Sequence, residues 1–319
     1  MRIYVLGCGG MLGDALYRHF SEEHKLLATD INRTEPWLEY RDVRNYLQMH
    51  DDVVEFRPDV IMNLAAMTSL EECELNAGEA IETNTGGSAN CAALASSLGI
   101  PYVYISTAGI FDGKKEYYTD EDRPNPICVY AKSKYWGELI AQTVPEHIVV
   151  RCGWQMGSGQ KDKKFINKIW KQIKSGATEL NVVKDKLGTP TYVADFTLGI
   201  ETLLKTRTYG TFNMVCKGDA SRYDVAVEFL RLLGLQDKIK VNVVDSAFWA
   251  SEYFAPRPDS ERLVTSKLDA LGLNVMRHWR EALAEYVTVY SDYFQIYPGK
   301  LEHTLDRLSE QDTSLSTLG

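Results

Sequence analysis

The sequence predicts an α/β fold, a doubly wound parallel sheet with a smaller α/β lobe appended. Three observations predict it. Strand-like apolar runs alternate with helix-like segments over the first 150 residues, a pattern that builds a parallel sheet covered by helices on both faces. Glycines and small polar residues recur just after the strand ends, the edge at which open sheets of this kind bind ligands. Past Arg151 the alternation breaks and later resumes, so a second lobe is interleaved with the first.

Taken in order, residues 2–6 (Arg-Ile-Tyr-Val-Leu) read as a buried strand, followed by Gly7-Cys8-Gly9-Gly10-Met11-Leu12-Gly13 and a helical pattern to Phe20. A second strand over 25–29 ends at Asp30, and residues 42–56 look helical. Asp59-Val60-Ile61-Met62-Asn63 is a third strand running into Leu64-Ala65-Ala66. A long helix over about 77–98 is stopped by Gly99 and Pro101. A fourth strand over 102–105 ends in Ser106-Thr107. The helix that starts around Tyr130, with Pro126 at its N-terminal boundary, stops near Pro145, and 147–150 is a fifth strand. Then come a basic helix from Lys161 to Lys174, a short strand near 180–184, a helix over about 193–205 and a strand over 211–215 that rejoins the sheet. Helices at 222–233 and 278–290 and a strand at 239–244 complete the smaller lobe. The expected division is 1–151 plus about 190–216 for the first domain, 152–189 plus 217–300 for the smaller lobe, and a polar tail at 301–319.

The chain has 319 residues, 45% hydrophobic and 25% charged, enough to bury a large core without staples. Its formal charge of −9 argues against nucleic acid or an anionic membrane as partner. Six scattered cysteines without a Cys-x-x-Cys read as reduced thiols of a cytoplasmic protein. The histidines form no His-x-x-x-His pair, so no metal site is expected. The apolar run from Ile3 reaches only Leu6, a strand rather than a signal-peptide core, and no run approaches the ~20 residues of a membrane span.

The candidate chemistry begins at Gly7, Gly10 and Gly13. They follow a strand and open a helix, so backbone N–H groups and the positive end of the helix dipole face a pyrophosphate; Met11 and Leu12 supply the first-turn amides. This is the Rossmann-like arrangement for a dinucleotide, and the other reading is a plain glycine turn. Asp30, at the end of the second strand, can accept hydrogen bonds from ribose hydroxyls, as NAD requires, whereas Arg33 can hold a 2′-phosphate. NADPH and NADH both stay open. Asp42 and Val43 either cap a helix or reach the adenine. The small residues in Leu64-Ala65-Ala66 let a dinucleotide pass close to the backbone, or the stretch is a buried apolar turn, and Thr68 follows it. Asn84 is either a satisfied core amide or a brace. Tyr130 and Lys134 stand four apart, on one helix face, and a nearby ammonium lowers a phenol's pKa. Roughly one Tyr-x-x-x-Lys arises by chance among 18 tyrosines, so the pair gains meaning from Ser106 and Thr107 at the same sheet edge.

With these residues in view, the chain resembles the extended short-chain dehydrogenase/reductases, and among them the dTDP-4-dehydrorhamnose reductase family, over nearly its whole length. The resemblance is carried by the three glycines, Asn63-Leu-Ala-Ala66 with Thr68 and Glu74, Ser106-Thr107, Phe111-Asp112-Gly113, Tyr130-x-x-Ser-Lys134-x-x-Gly-Glu138, Arg151 with Trp154, Gly188-Thr-Pro-Thr191, and Arg257-Pro258 with Ser260 and Leu263. It implies NAD(P)H-dependent reduction of a 4-keto nucleotide-sugar. Tyr130 would be the general acid, and Lys134 would tune it and bind the nicotinamide ribose. Thr107, with Ser106 as second candidate, would hold the carbonyl oxygen; Trp154 would lie against sugar or base, and Arg257 would meet the diphosphate or form a salt bridge. Ala108-Gly109 stand where that family has Asp-Tyr, which leaves the substrate open and also removes the acid/base pair a 4,6-dehydratase needs. The resemblance leaves three further points open: a nucleotide-sugar epimerase, a non-catalytic NADP-binding regulatory subunit, and a homodimer.

Overall fold

A computed structural model describes residues 1–296. The elements are β1 (Arg2–Leu6), α1 (Met11–Phe20), β2 (Lys25–Asp30), β3 (Glu39–Tyr40), α2 (Tyr46–Phe56), β4 (Val60–Asn63), α3 (Leu70–Leu75), α4 (Ala77–Ile81), α5 (Gly87–Leu98), β5 (Tyr102–Thr107), α6 (Val129–Ala141) and β6 (His147–Cys152). They continue with β7 (Trp154–Met156), α7 (Phe165–Lys174), β8 (Glu179–Val183), β9 (Leu187–Gly188), β10 (Pro190–Tyr192), α8 (Val193–Thr206), β11 (Gly210–Asn213), β12 (Ala220–Ser221), α9 (Arg222–Leu232), β13 (Lys240–Val244), β14 (Ser260–Glu261), α10 (Ser266–Ala270) and α11 (Trp279–Val289).

Seven strands form one parallel sheet in the order β11-β6-β5-β4-β1-β2-β3. The doubly wound, Rossmann-like α/β class expected from the alternation is therefore the class observed. Period-two alternation explains how one strand serves two layers. Ile3 and Val5 of β1 enter the core beneath α1 and α8, whereas Tyr4 and Leu6 enter the core beneath α2 and α5. Strand order reverses between β1 and β4, and the crevice at their C-terminal ends is where such sheets take a ligand. Short sheets β7–β10 and β12–β9–β14 are built from strands that follow β6 in the chain, and α9 packs on the parallel pair β8–β13.

Several boundaries differ from expectation, each for a local reason. The second helix begins at Tyr46 because Asn45, not Asp42, accepts the capping N–H of Gln48 (3.2 Å). The edge strand β3 is two exposed residues with no apolar pattern to reveal it. The basic helix starts only at Phe165, because the Asp162 carboxylate takes the Lys164 N–H (2.7 Å) and ends the preceding turn. The long helix at 77–98 is two helices joined by a wider π-helical turn, Glu82–Gly86. The polar tail at 301–319, and the last residues of the proposed lobe, lie outside the described residues. Among the described residues all six cysteines are unpaired and buried, and no helix is long and apolar enough to cross a membrane.

Candidate active site

The turn between β1 and α1 contains glycines of two kinds. Gly7 has φ +75°, and a Cβ on it would lie 2.4 Å from the Ala65 backbone, so the turns after β1 and β4 touch there. A Cβ on Gly13 would lie 2.2 Å from the Cys8 carbonyl oxygen, so the first turn of α1 rests directly on the loop. Gly10 is the N-cap of α1, and a Cβ there would meet nothing within 4 Å. Next to that open space, the first-turn amides of Met11 and Leu12 have no acceptor inside the helix. The cradle fits a pyrophosphate. Gly10→Ala is expected to keep stability within about 1 kcal/mol of the parent but to weaken NADP(H) binding. Gly13→Ala, which has to push against backbone, is expected to cost about 1–3 kcal/mol. Denaturation midpoints and nicotinamide fluorescence titrations separate the two effects.

Asp30 holds the end of β2: Oδ2 accepts the Gly9 N–H (2.9 Å) and Oδ1 the Asn32 N–H (2.8 Å). Arg33 is exposed, its Nε donates to the Leu38 carbonyl (3.0 Å), and its terminal nitrogens make no hydrogen bond among the described residues. Both a ribose acceptor and a 2′-phosphate donor are therefore available at this edge. Asp42 and Val43, the candidates for the adenine, follow just after β3. The Asp42 carboxylate is taken by Arg44 (Nη2 to Oδ2, 2.6 Å), which lowers its pKa, and Val43 is buried against Gly87.

After β4, the Asn63 side-chain oxygen accepts the Ala65 N–H (3.0 Å) and shapes the turn; Leu64 leans on the core, and Ala65 and Ala66 stay half-buried. Asn84, on the π-helical turn, takes the brace reading. Its oxygen accepts the Met67 N–H (2.8 Å), and its NH2 donates to the Met67 carbonyl (3.1 Å) and to Ser133 Oγ (2.9 Å). The wide turn aims this amide at two neighbouring segments at once. Helix α6 is also held by the Glu74 carboxylate, which accepts the Val129 N–H (2.8 Å). Gly137 lets α6 close on Tyr104, since a Cβ there would lie 2.4 Å from the Tyr104 hydroxyl oxygen.

These supports bring Tyr130 and Lys134 to the C-terminal end of β5, beside Thr107. Burial pushes the Tyr130 phenol well up and the Cys152 thiol adds to this, while a hydrogen bond with Thr107 opposes it. The direction is opposite to the one the Tyr/Lys spacing suggested. Burial outweighs any neighbouring charge here; the Lys134 ammonium sits over the Tyr104 ring (4.2 Å to its centroid) and is itself desolvated, which lowers its pKa to about 8. Thr107 Oγ also accepts the Gly109 N–H (3.1 Å). Ser106 is not a second carbonyl holder. Adjacent strand residues point to opposite faces, and its hydroxyl donates to the buried Glu138 carboxylate (2.5 Å), which pairs with Arg151 (2.6 Å).

On the lobe side, Trp154 is half-buried under Gly188, and its indole N–H donates to Glu261 Oε2 (2.7 Å). The Arg222 guanidinium lies 3.7 Å from the centre of the Trp154 ring system. Thr68 is exposed and accepts from Lys164 Nζ (3.3 Å). Arg257 forms the salt-bridge alternative, pairing with Glu71 (2.7 Å). Glu261 and Arg222 went unseen in the sequence, since neither is a residue that its motifs single out. Their only signal is position, within Arg257–Leu263 for Glu261 and just after the helix cap Ser221 for Arg222. Among the described residues one group could gather a metal ion, Glu23, His24 and Glu201 near the C-terminal end of α1, with Glu201 already bonded to His19 (3.0 Å) and Lys205 (2.8 Å).

A family model, the RmlD substrate binding domain, matches residues 1–291. The chain is 30% identical over 291 residues, 90% of its length and 96% of the relative's, to the spore coat polysaccharide biosynthesis protein SpsK of Bacillus subtilis (strain 168). It is 32% identical over 246 residues, 72% of this chain and 80% of the other, to a dTDP-4-dehydrorhamnose reductase of Sinorhizobium fredii. The crystal structure of the Bacillus anthracis dTDP-4-dehydrorhamnose reductase in complex with NADP matches with a TM-score of 0.82 at 28% identity, over 90% of this chain and 98% of that one. A parallel sheet of this order, a glycine cradle at its switch point and a match running from residue 1 to 291 lead to one conclusion: the chain belongs to the RmlD substrate-binding domain family.

Proposed function

We propose that the protein is an NAD(P)H-dependent oxidoreductase that reduces the 4-keto group of a nucleotide-activated deoxysugar, in the manner of a dTDP-4-dehydrorhamnose reductase. The observation that carries this reading is the convergence of Thr107, Tyr130 and Lys134 on the sheet edge that also holds the glycine cradle. When bound, the nicotinamide supplies the hydride. Thr107 Oγ holds the carbonyl oxygen, and Tyr130 gives its proton to that oxygen as the alkoxide forms. A phenol whose pKa is raised by burial keeps that proton at neutral pH. Lys134 would hold the nicotinamide ribose, and Asp30 and Arg33 would take the adenosine end.

A cluster of cations supports a diphosphate-bearing substrate. Lys164, Lys168, Arg222 and Arg257 lie close enough that Lys168 and Arg222 help to lower the Lys164 pKa, and Arg257 that of Arg222. Burial is the largest cause for both, and it brings Arg222 to about 10. Arg222 makes no ion pair or hydrogen bond among the described residues and keeps only its ring contacts with Trp154 and Phe165. A guanidinium that feels Glu261 and Asp162 only at a distance, with no hydrogen bond to either, can still take up an anion. Arg222→Leu is expected to raise KM for the nucleotide sugar about tenfold or more, with kcat less affected.

The test is purified protein with NADPH or NADH and a dTDP-4-keto-6-deoxyhexose. Loss of nicotinamide absorbance with formation of the 4-hydroxy sugar supports the reading. Cofactor binding without turnover on any keto-sugar nucleotide would turn it to a non-catalytic cofactor-binding subunit.

A further inference from the structure

Glu261 is a carboxylate at the active site for which the reduction itself has no use. It ends β14, which runs parallel to β9 with Glu261 opposite Gly188. Gly188 closes directly over the Trp154 ring, since a Cβ there would lie 2.5 Å from it. This stacking fixes Trp154, and its indole N–H fixes Glu261 Oε2 at 2.7 Å. The other oxygen is turned toward the chemistry. Oε1 lies 3.5 Å from the point where a Cβ on Gly109 would stand, and Thr107 Oγ lies 3.5 Å from the same point. Gly109 has no side chain to fill that room, and Oε1 accepts no hydrogen bond among the described residues. Glu261 raises the pKa of Tyr130 and of Arg222, so its charge is felt at both ends of the site.

We propose that Glu261 is a specificity-determining residue, whose Oε1 accepts a hydrogen bond from a substrate hydroxyl on the carbon next to the carbonyl being reduced. This rests on the reductase reading above. The chemistry selects a hydroxyl. A carboxylate is an acceptor only and the sugar offers hydroxyl donors, whereas phosphates are repelled by a carboxylate and drawn to the cations Lys164, Lys168, Arg222 and Arg257. In a 4-keto-6-deoxyhexose the adjacent carbon that bears a hydroxyl is C3, since C5 carries the methyl group. Trp154 and Arg222 act as positioning residues, one by its N–H and the other by charge. A site built to bond a hydroxyl discriminates strongly against an analogue that lacks it, because the acceptor is then left unsatisfied.

The experiment compares the full chain with its Glu261→Gln and Glu261→Ala variants. Each is given NADPH with a dTDP-4-keto-6-deoxyhexose and with its 3-deoxy analogue. In parallel, calorimetry measures the Kd of the corresponding 4-hydroxy dTDP-sugars, with and without the 3-hydroxyl. The parent is expected to prefer the 3-hydroxy compound about tenfold to a hundredfold in kcat/KM and in Kd. Glu261→Ala is expected to lose that preference, and Glu261→Gln, whose amide oxygen still accepts from Trp154, to retain part of it. Unchanged tryptophan fluorescence and NADPH affinity in Glu261→Gln exclude a collapsed site. A parent with no preference, or a Glu261→Ala variant that retains it in full, overturns the proposal. Absent turnover with an intact Kd preference sinks the reductase reading and leaves the role of Glu261 standing.

Discussion

Tyr130→Phe is expected to lower kcat about 10²–10⁴-fold, the usual loss when a positioned proton donor is removed, while leaving the Kd for NADPH within a small factor of the parent. The substitution removes one oxygen and its hydrogen bond with Thr107, and it leaves the ring and the α6 contacts in place. A variant that retained full rate would falsify the proton-donor role. The same site predicts a pH profile. Burial pushes Tyr130 up and out of the working range, so the phenol stays protonated and sets no limb there. Lys134 is brought down to about 8 by burial, partly offset by Cys152 and Glu138, so its ammonium is present below that pH and lost above it. For the free enzyme, kcat/KM for reduction is therefore expected to decline as pH rises through about 8. In Lys134→Arg the residual activity should keep its charge to higher pH and show that limb displaced upward or absent. A limb that stays near 8 in this variant assigns it to another group.

Glu138→Gln is expected to destabilise the protein by about 3–5 kcal/mol, because it strands a buried guanidinium. Glu138 is 0% and Arg151 4% exposed, and the pair is bidentate, with Arg151 Nη2 at 2.6 Å from Oε1 and Nε at 3.2 Å from both oxygens. Ser106 donates to the same carboxylate, and the third Arg151 nitrogen, Nη1, donates to the Asp120 carbonyl (3.1 Å). Four segments, β5, α6, β6 and the loop at Asp120, therefore meet at one ion pair. Denaturant midpoints of the single variant and of Glu138→Leu with Arg151→Met measure it, and the double variant, which strands no charge, should recover much of the loss. An effect on rate should accompany the single change, since Glu138 lies on the helix that carries Tyr130 and Lys134.

The frame of this molecule is legible in the sequence because its causes are local. Ile3 and Val5 alternate with Tyr4 and Leu6, and that alternation is a two-faced strand. Gly7 needs its positive φ, and the strand-to-helix context of Gly10 names a cradle. Tyr130 and Lys134 are four apart on one helix, and helical periodicity alone places them together. Where a side chain had two readings, the sequence could not choose. Asn84 is a brace because a π-helical turn aims it at Met67 and Ser133, and Ser106 is structural because strand alternation hands it to Glu138.

What the tertiary structure alone decided concerns pairs far apart in the chain and the dielectric around them. Trp154 meets Glu261 across 107 residues, and Arg257 meets Glu71 of the remote helix α3. No spacing rule reaches that far, since only packing decides which loops share an edge. The sign of the Tyr130 shift is of the same kind. Adjacency in sequence predicted a lowered phenol, and burial, a property of the assembled fold, raised it. Sequence by itself thus determined the sheet, the cradle and the Tyr/Lys pair, since each follows from dihedral preference and periodicity over a few residues. The tertiary structure decided which carboxylate and which guanidinium complete the site, because those depend on the three-dimensional distance and solvent exclusion that only the folded chain creates.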